Sequence, residues 1–249
     1  MTDLWGERAE LYRTSVTHAS GRDLDLVVEM CNPKPGLKVL DVATGGGHVA
    51  RRLREAGAQV VTSDPSPGMQ PDVICPAEHL PFADGSFDVV VTRLAAHHFQ
   101  SIGEAVGEMA RVTNSLLVID DHLYTDEETE EAEKLRDPSH IRAYSEEEWR
   151  ELLTDAGLEV ERVEFDDKTL DFESWFARTE TPGDVPPAGC DVEHLHVSAG
   201  LAPLDEQVEV RPFAMRRALA ECLGALRPDV GHAASSTARW AASSIVGST

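Results

Sequence analysis

The stretch Val39-Leu40-Asp41-Val42-Ala43-Thr44-Gly45-Gly46-Gly47-His48-Val49-Ala50 constrains the fold more than any other part of the chain. Its apolar start reads as a buried strand, its glycine cluster as a tight turn, and Val49 to Leu53 as the opening of a helix. A second apolar run, Gln59 to Ser63, ends on Asp64. Strand, glycine turn, helix and an acid closing the next strand make a nucleoside-binding half-sheet. Glycine is needed there because a ligand touches backbone where a Cβ would collide, and because φ has to be free to turn positive.

Hydrophobic periodicity extends this unit in both directions. It predicts helices over 3–13, 21–31, 47–56, 101–111, 126–136, 145–156 and 171–179, and strands over 37–42, 58–63, 72–75, 87–92, 115–120 and 158–165. The alternation implies an α/β fold, a Rossmann-like, doubly wound and mostly parallel sheet with helices on both faces. Three parts are expected: an N-terminal helical cap over 1–36, a ligand-binding domain over 37–180, and a C-terminal extension over 181–249. In the extension only 213–225 has the pattern of an amphipathic helix, and the final dozen residues read as a poorly ordered tail. Between the second and third strands only Pro65 to Pro71 is available. A parallel crossover normally takes about a dozen residues and a helix, so a loop or single turn is expected instead. The acidic runs from Asp126 and from Glu146 read as helix starts, where carboxylates favour the macrodipole.

A chain of 249 residues accommodates one large α/β domain with additions. Its net charge of −23 would repel nucleic-acid phosphates and anionic membranes, and favours neutral or cationic ligands. The cysteines Cys31, Cys75, Cys190 and Cys222 are too scattered for a zinc site or a disulfide framework, which suits a reduced cytoplasm. The charged segment Met1 to Glu10 has no signal-peptide core, and no run approaches the ~18 apolar residues of a membrane span. The expectation is a cytoplasmic protein acting on small molecules, without nucleic-acid partners or membrane insertion, and with room left for a homodimer.

Gly45-Gly46-Gly47-His48-Val49-Ala50 fits the dinucleotide fingerprint G-x-G-x-x-A, with Asp64 near the ribose-binding position. Two features point elsewhere. Asp41 precedes the glycine turn, where a carboxylate would repel a pyrophosphate but suit an ammonium group. Ala77-Glu78-His79-Leu80-Pro81-Phe82-Ala83-Asp84-Gly85-Ser86-Phe87-Asp88 follows the third strand and is no dinucleotide-enzyme pattern. Together these segments resemble the class I S-adenosylmethionine-dependent methyltransferases, specifically the type-11 group that includes the menaquinone and ubiquinone C-methyltransferases. Asp41, Ala43, Gly45 and Gly47 meet the first motif of that family, D-x-[AG]-x-G-x-G. The likeness continues through Arg93 to Phe99, Glu108 to Val112, Ala9 to Tyr12 with Ser15 and His18-Ala19, and Leu135 to Arg142 with Glu148-Trp149, and covers about residues 3–180.

The resemblance implies S-adenosylmethionine as cofactor, with Asp64 on the ribose hydroxyls and the Asp41–Gly47 turn, Ala43 and Gly45 included, around the methionine end. Ala77 and Glu78 would lie near the adenine, and Arg93 and Leu94 beneath the cofactor. It implies methyl transfer to a carbon or oxygen of a quinone-like or natural-product-like acceptor. His97 and His98 follow the fourth strand at the ligand-binding edge and are the candidate general bases, since histidine ionises near neutrality. Tyr12, His18, His122, His140 and Arg142 come from segments that, in the family it resembles, cap the same pocket, and are candidate acceptor contacts. No H-x-H or H-x₃-H spacing supports a metal, and none is expected.

The chain departs from the family at four places: the absent crossover helix after Asp64, Pro76 in place of an acid that receives the adenine amino group, Thr113-Asn114-Ser115 in place of K-P-G-G, and an unmatched C-terminus. These keep a second reading open, a binding protein of the same fold that is a pericyclase, decarboxylase, cyclase or regulatory subunit. A nicotinamide-dependent oxidoreductase, resting only on glycine spacing and Asp64, is the third.

Overall fold

The computed structural model describes residues 3–170 and 190–200. Three helices come first, α1 (Leu4–Thr14), α2 (Val16–Ala19) and α3 (Arg22–Cys31), followed by β1 (Lys38–Val42), α4 (His48–Glu55), β2 (Gln59–Asp64) and the short β3 (Val73–Ile74). Then follow β4 (Phe87–Arg93), α5 (Ile102–Val112), β5 (Thr113–His122), α6 (Glu127–Arg136), α7 (Glu146–Asp155), β6 (Glu159–Leu170) and β7 (Cys190–Gly200). The strands form one sheet in the order β3-β2-β1-β4-β5-β7-β6. The pairs β1/β2, β1/β4, β2/β3 and β4/β5 are parallel, and β7 runs antiparallel between β5 and β6. The order reverses at β1/β4, so the crevice at the carboxyl ends of those strands is the expected ligand position in an open α/β sheet.

Successive strand residues point to opposite faces, and both faces are covered. Val39, Val89, Val91 and Val118 pack with Leu24 and Val27 of α3 and with Val49 and Leu53 of α4. Leu40, Val42, Val90, Leu117 and Ile119 face the other way, toward Val106 and Met109 of α5 and Trp149 and Leu153 of α7. The acidic runs do open helices: Asp126 caps α6 through the Thr129 N–H, and Ser145 and Glu148 form a capping box on α7. Glu130 departs from that reading, because it is buried and bonded to His140 Nε2 at 3.1 Å.

The expected break at 180/181 does not end the sheet. Leu116 to His122 pair with Gly200 back to His194, so part of the segment read as an extension supplies a strand of the main sheet. The crossover after β2 is as short as anticipated, a single 3₁₀ turn at Pro67–Met69. The helices read over 171–179 and 213–225 and the terminal tail lie outside the described residues. Among the described residues no helix is long and apolar enough to cross a membrane.

Candidate active site

The glycine turn sits at the β1 end of the crevice. Gly45 and Gly47 have φ of +51° and +74°, and a Cβ on either would meet nothing within 4 Å, so their backbone borders open space. Asp41 is buried beneath the turn and accepts from Thr44 Oγ1 at 2.7 Å and from the Ala50 N–H at 3.1 Å, which ties the strand end to the start of α4. Burial pushes its carboxyl up to about 6, against those two hydrogen bonds. Asp64 takes one N–H on each oxygen, Gly45 at 3.0 Å and Ser66 at 2.9 Å. The Ser66 contact is the turn-capping role that Asp-Pro-Ser-Pro suggests, yet Asp64 also lines the cavity. A carboxylate offers about four lone-pair sites, so two donors do not exhaust it. Ala43 and Leu94, at the ends of adjacent strands β1 and β4, have φ of +54° and +53°. Left-handed backbone costs a non-glycine residue about 1–2 kcal/mol, and both strained residues line the same cavity of about 380 Å³.

α1 closes that cavity. Trp5 and Tyr12, two helical turns apart on one face, line it together with His18 and His98. Tyr12 offers its carbonyl to His48 Nε2 at 2.9 Å, and a Cβ on Gly46 would fall 2.8 Å from that oxygen and 2.9 Å from that nitrogen. Gly46 therefore lets the helix end rest on the glycine turn. A Cβ on Gly68 would overlap Gly6 Cα, so paired glycines bring α1 onto the 3₁₀ turn. Asp3 accepts from Ser66 Oγ at 2.9 Å, and Arg13 donates to the Gly68 carbonyl at 3.1 Å. On the side of the short crossover, therefore, the N-terminal helix packs on the 3₁₀ turn and lines the cavity.

At the far side, Pro76, Ala77 and Glu78 line the cavity, but Glu78 Oε1 is engaged by the N–H groups of Gln100 at 2.7 Å and Ser101 at 3.2 Å. Arg93 also lines it, with its guanidinium held by Asp23, by Asp120 at 3.3 Å and by the His18 carbonyl at 3.1 Å. Its side chain is a buried strut between the helical cap and the sheet.

His97 and His98 meet different partners. They lie in one 3₁₀ turn, Ala96–His98, with ring centroids 4.0 Å apart. His97 is buried, with Nδ1 on Asp121 Oδ1 at 2.5 Å and its own backbone N–H on Asp121 Oδ2 at 2.6 Å. Burial pushes the Asp121 carboxyl up to about 7. His98 lines the cavity, and Nδ1 contacts the Ser139 carbonyl at 3.0 Å. A carbonyl only accepts, so Nδ1 carries the hydrogen and Nε2 the lone pair. Burial holds the His98 pKa below the usual histidine value.

His97, Asp121 and His122 place one potential metal-binding atom each within 4.8 Å of one another. The His97 and His122 rings, however, are 9° from parallel with centroids 4.5 Å apart. Stacked rings lie in planes on the order of 3.5 Å apart, and an ion ~2 Å along one lone pair is out of the other ring's plane. As they stand, the two rings do not share an ion.

A family model described as a methyltransferase domain matches residues 5–163. The chain belongs to the class I S-adenosylmethionine-dependent methyltransferases. YcgJ of Bacillus subtilis, an uncharacterized methyltransferase, is 30% identical over 202 residues, covering 72% of this chain and 80% of YcgJ. A demethylmenaquinone methyltransferase of Renibacterium salmoninarum is 39% identical over 98 residues, 35% of this chain and 41% of that protein. A solved Bacillus halodurans structure superposes with a TM-score of 0.66 at 27% identity, covering 74% of this chain and all (100%) of the other.

The methyltransferase uses S-adenosylmethionine, and its crevice fits that group: backbone open to a ligand at Gly45 and Gly47, with Asp41 and Asp64 beside it. The dinucleotide reading gives way to the family match. Among residues expected at the site, Tyr12, His18, Asp41, Ala43, Gly45, Asp64, Ala77, Glu78, Arg93, Leu94 and His98 border the cavity, whereas Gly47 caps α4 beside it. His97, His122, His140 and Arg142 are not brought onto its wall. His122 stacks on His97, His140 bonds Glu130, and Arg142 pairs with Glu148 over the Tyr144 ring. Trp5, His48, Met69, Phe99 and Gln100 also border it and were not expected. Of these, Trp5 had a usable signal, its seven-residue spacing from Tyr12.

Proposed function

We propose that this methyltransferase modifies a carbon or oxygen of a small, neutral, quinone-like or natural-product-like acceptor, with His98 as general base. The observation that carries this reading is the His98 ring on the wall of the glycine-turn cavity, with Nδ1 committed to the Ser139 carbonyl. S-adenosylmethionine, when bound, supplies a sulfonium methyl already activated for displacement. Gly45 and Gly47 admit the methionine end against backbone, Asp41 favours its ammonium, and Asp64 receives ribose hydroxyls. Ala77 and Glu78 border the base, and Leu94 lies beneath. Trp5, Tyr12 and His18 form an aromatic wall for the acceptor, with Trp5 edge-on to His98 at 4.7 Å and Tyr12 5.2 Å from His18. Neutral His98 takes the acceptor proton on Nε2 as its oxygen or carbon becomes the nucleophile. The demethylmenaquinone methyltransferase relative supports the quinone class.

The test is incubation with S-adenosylmethionine and a panel of hydroquinones and catechols, with mass spectrometry for products heavier by one methyl. His98→Ala is expected to lower kcat about 100-fold with S-adenosylhomocysteine affinity unchanged. Turnover equal to the parent would remove His98 from the chemistry. A pocket that binds S-adenosylhomocysteine tightly and methylates nothing in the panel would favour the non-methylating reading.

Asp41 makes cofactor binding pH-dependent. An ammonium is held by the carboxylate form, and this carboxyl is pushed up to about 6. Calorimetric affinity for S-adenosylhomocysteine should be flat above neutrality and fall by up to about tenfold per unit as pH drops below that value. Asp41→Asn should bind more weakly near neutrality and flatten the profile; an unchanged profile would contradict the ammonium contact.

A further inference from the structure

The segment after α6 is bound to the His97–His98 turn by more than the His98 contact. The N–H groups of Ile141 and Arg142 both donate to the His97 carbonyl, at 2.8 and 3.1 Å. Asp137, almost fully buried, accepts on Oδ1 from the Ser139 N–H at 3.0 Å and the Ser139 hydroxyl at 2.5 Å. These bonds anchor Ser139, and the peptide that carries its carbonyl is held through the His140 N–H, which donates to the Asp137 backbone carbonyl at 2.9 Å. Arg8 of α1 lies 4.0 Å from the same Asp137 oxygen, and Trp5, one turn earlier on that helix, lies against the His98 ring. The helix that covers the cavity therefore touches the histidine from one side and its support from the other.

We propose that Asp137 and Ser139 are positioning residues for methyl transfer, holding His98 in the tautomer whose Nε2 is the basic nitrogen, with Arg8 joining the covering helix to that support. This rests on His98 being the base. The physical reason is that a neutral imidazole has two tautomers of similar energy in water. A fixed carbonyl acceptor at Nδ1 selects one of them, and a moving carbonyl does not. The charged and titratable groups facing His98 are His97 in its own turn, Asp121 from β5 with His122 behind His97, and Asp137 and His140 from the docked segment. Asp137 and Asp121 favour the imidazolium, whereas His140 and burial oppose it.

The experiment is long-range ¹H–¹⁵N NMR of the His98 ring in the S-adenosylhomocysteine complex, titrated with pH, for the parent, Asp137→Asn, Asp137→Ala and Ser139→Ala. In the parent, Nε2 should give the unprotonated nitrogen shift. In Asp137→Asn the amide oxygen still accepts from Ser139, so the tautomer should persist while the His98 midpoint moves to lower pH, a carboxylate having been removed. Asp137→Ala should mix the tautomers and lower kcat about tenfold or more on any acceptor the panel identifies, with KM little changed. Ser139→Ala retains the carbonyl and should fall between these. A parent with Nδ1 unprotonated, or an Asp137→Ala spectrum identical to the parent's, overturns the proposal. If Asp137→Ala mixes tautomers and His98→Ala turns over normally, the base reading fails instead.

Discussion

Arg93→Met is expected to lower the melting midpoint by roughly 10–15 °C. The guanidinium has Asp23 on one side and Asp120 on the other, with all three side chains almost inaccessible to water. Methionine replaces the volume and not the charge, which takes the guanidinium from both buried carboxylates while His196 Nδ1 stays 3.2 Å from Asp120. Removing one partner of a buried ion pair costs about 3–5 kcal/mol, and in a chain of this size each kcal/mol shifts the midpoint by about 2–4 °C. The deficit should depend on pH in a definite direction. Buried carboxyls that lose their cation cost stability while ionised, and the cost disappears as they protonate. The gap between parent and variant, followed by calorimetry, should be wide in mildly alkaline buffer and narrow as pH falls toward the unfolded carboxylate range. A gap that widens on acidification, or a variant as stable as the parent, would show that Arg93 is no electrostatic strut. Adding Asp120→Asn to Arg93→Met should recover part of the loss.

The parts of this fold that could be read from the chain are those in which one residue's neighbours in sequence are also its neighbours in space. From Lys38 to Asp64 the strand, turn, helix and strand are consecutive, and the hydrophobic period changes where each element does. β7 gave no such signal. His196, Val197, Ser198 and Ala199 are all buried because the strand lies between β5 and β6 with both faces covered. A strand covered on both faces has no alternation to detect, and here its interior positions include a histidine and a serine that read as surface.

The candidate site divides in the same way. Position at the carboxyl end of β4 marked His97 and His98, but periodicity does not say which member of a 3₁₀ turn meets the cavity and which meets Asp121. His122, His140 and Arg142 do not line the cavity, and their side chains are taken up by His97, Glu130 and Glu148. The most consequential long-range feature is the packing of α1 on the short 3₁₀ crossover. It depends on two glycines, Gly6 and Gly68, that are far apart in sequence and become meaningful only when a backbone has to pass over a backbone. α1 lines the cavity beside the shortened crossover, and β7 pairs into the main sheet from the part of the chain that has no family match.

Asp64→Ala should weaken S-adenosylhomocysteine binding on the order of 1,000-fold by calorimetry, the largest binding effect expected in the site. The carboxylate closes β2 and faces the cavity, with the Gly45 N–H on one oxygen and the Ser66 N–H on the other. In the proposed cofactor complex the remaining lone pairs receive the two ribose hydroxyls. Each such charge-assisted bond contributes about 1.5–3 kcal/mol, so losing both gives about 3–6 kcal/mol, before counting the Gly45 N–H left without its acceptor. That N–H belongs to the glycine turn, so the same substitution also loosens the backbone on which the methionine end rests. Asp64→Asn separates the two effects. An amide oxygen can keep one backbone contact but cannot accept from both hydroxyls, and its loss should be about 10- to 100-fold. Burial raises the Asp64 carboxyl above its ordinary pKa, and where it does protonate the parent should approach the asparagine variant. Equal affinity in Asp64→Ala and parent would leave Asp64 as the Asp-Pro-Ser turn cap alone. The ribose would then have to be held from elsewhere on the wall, with Glu78 the first residue to test.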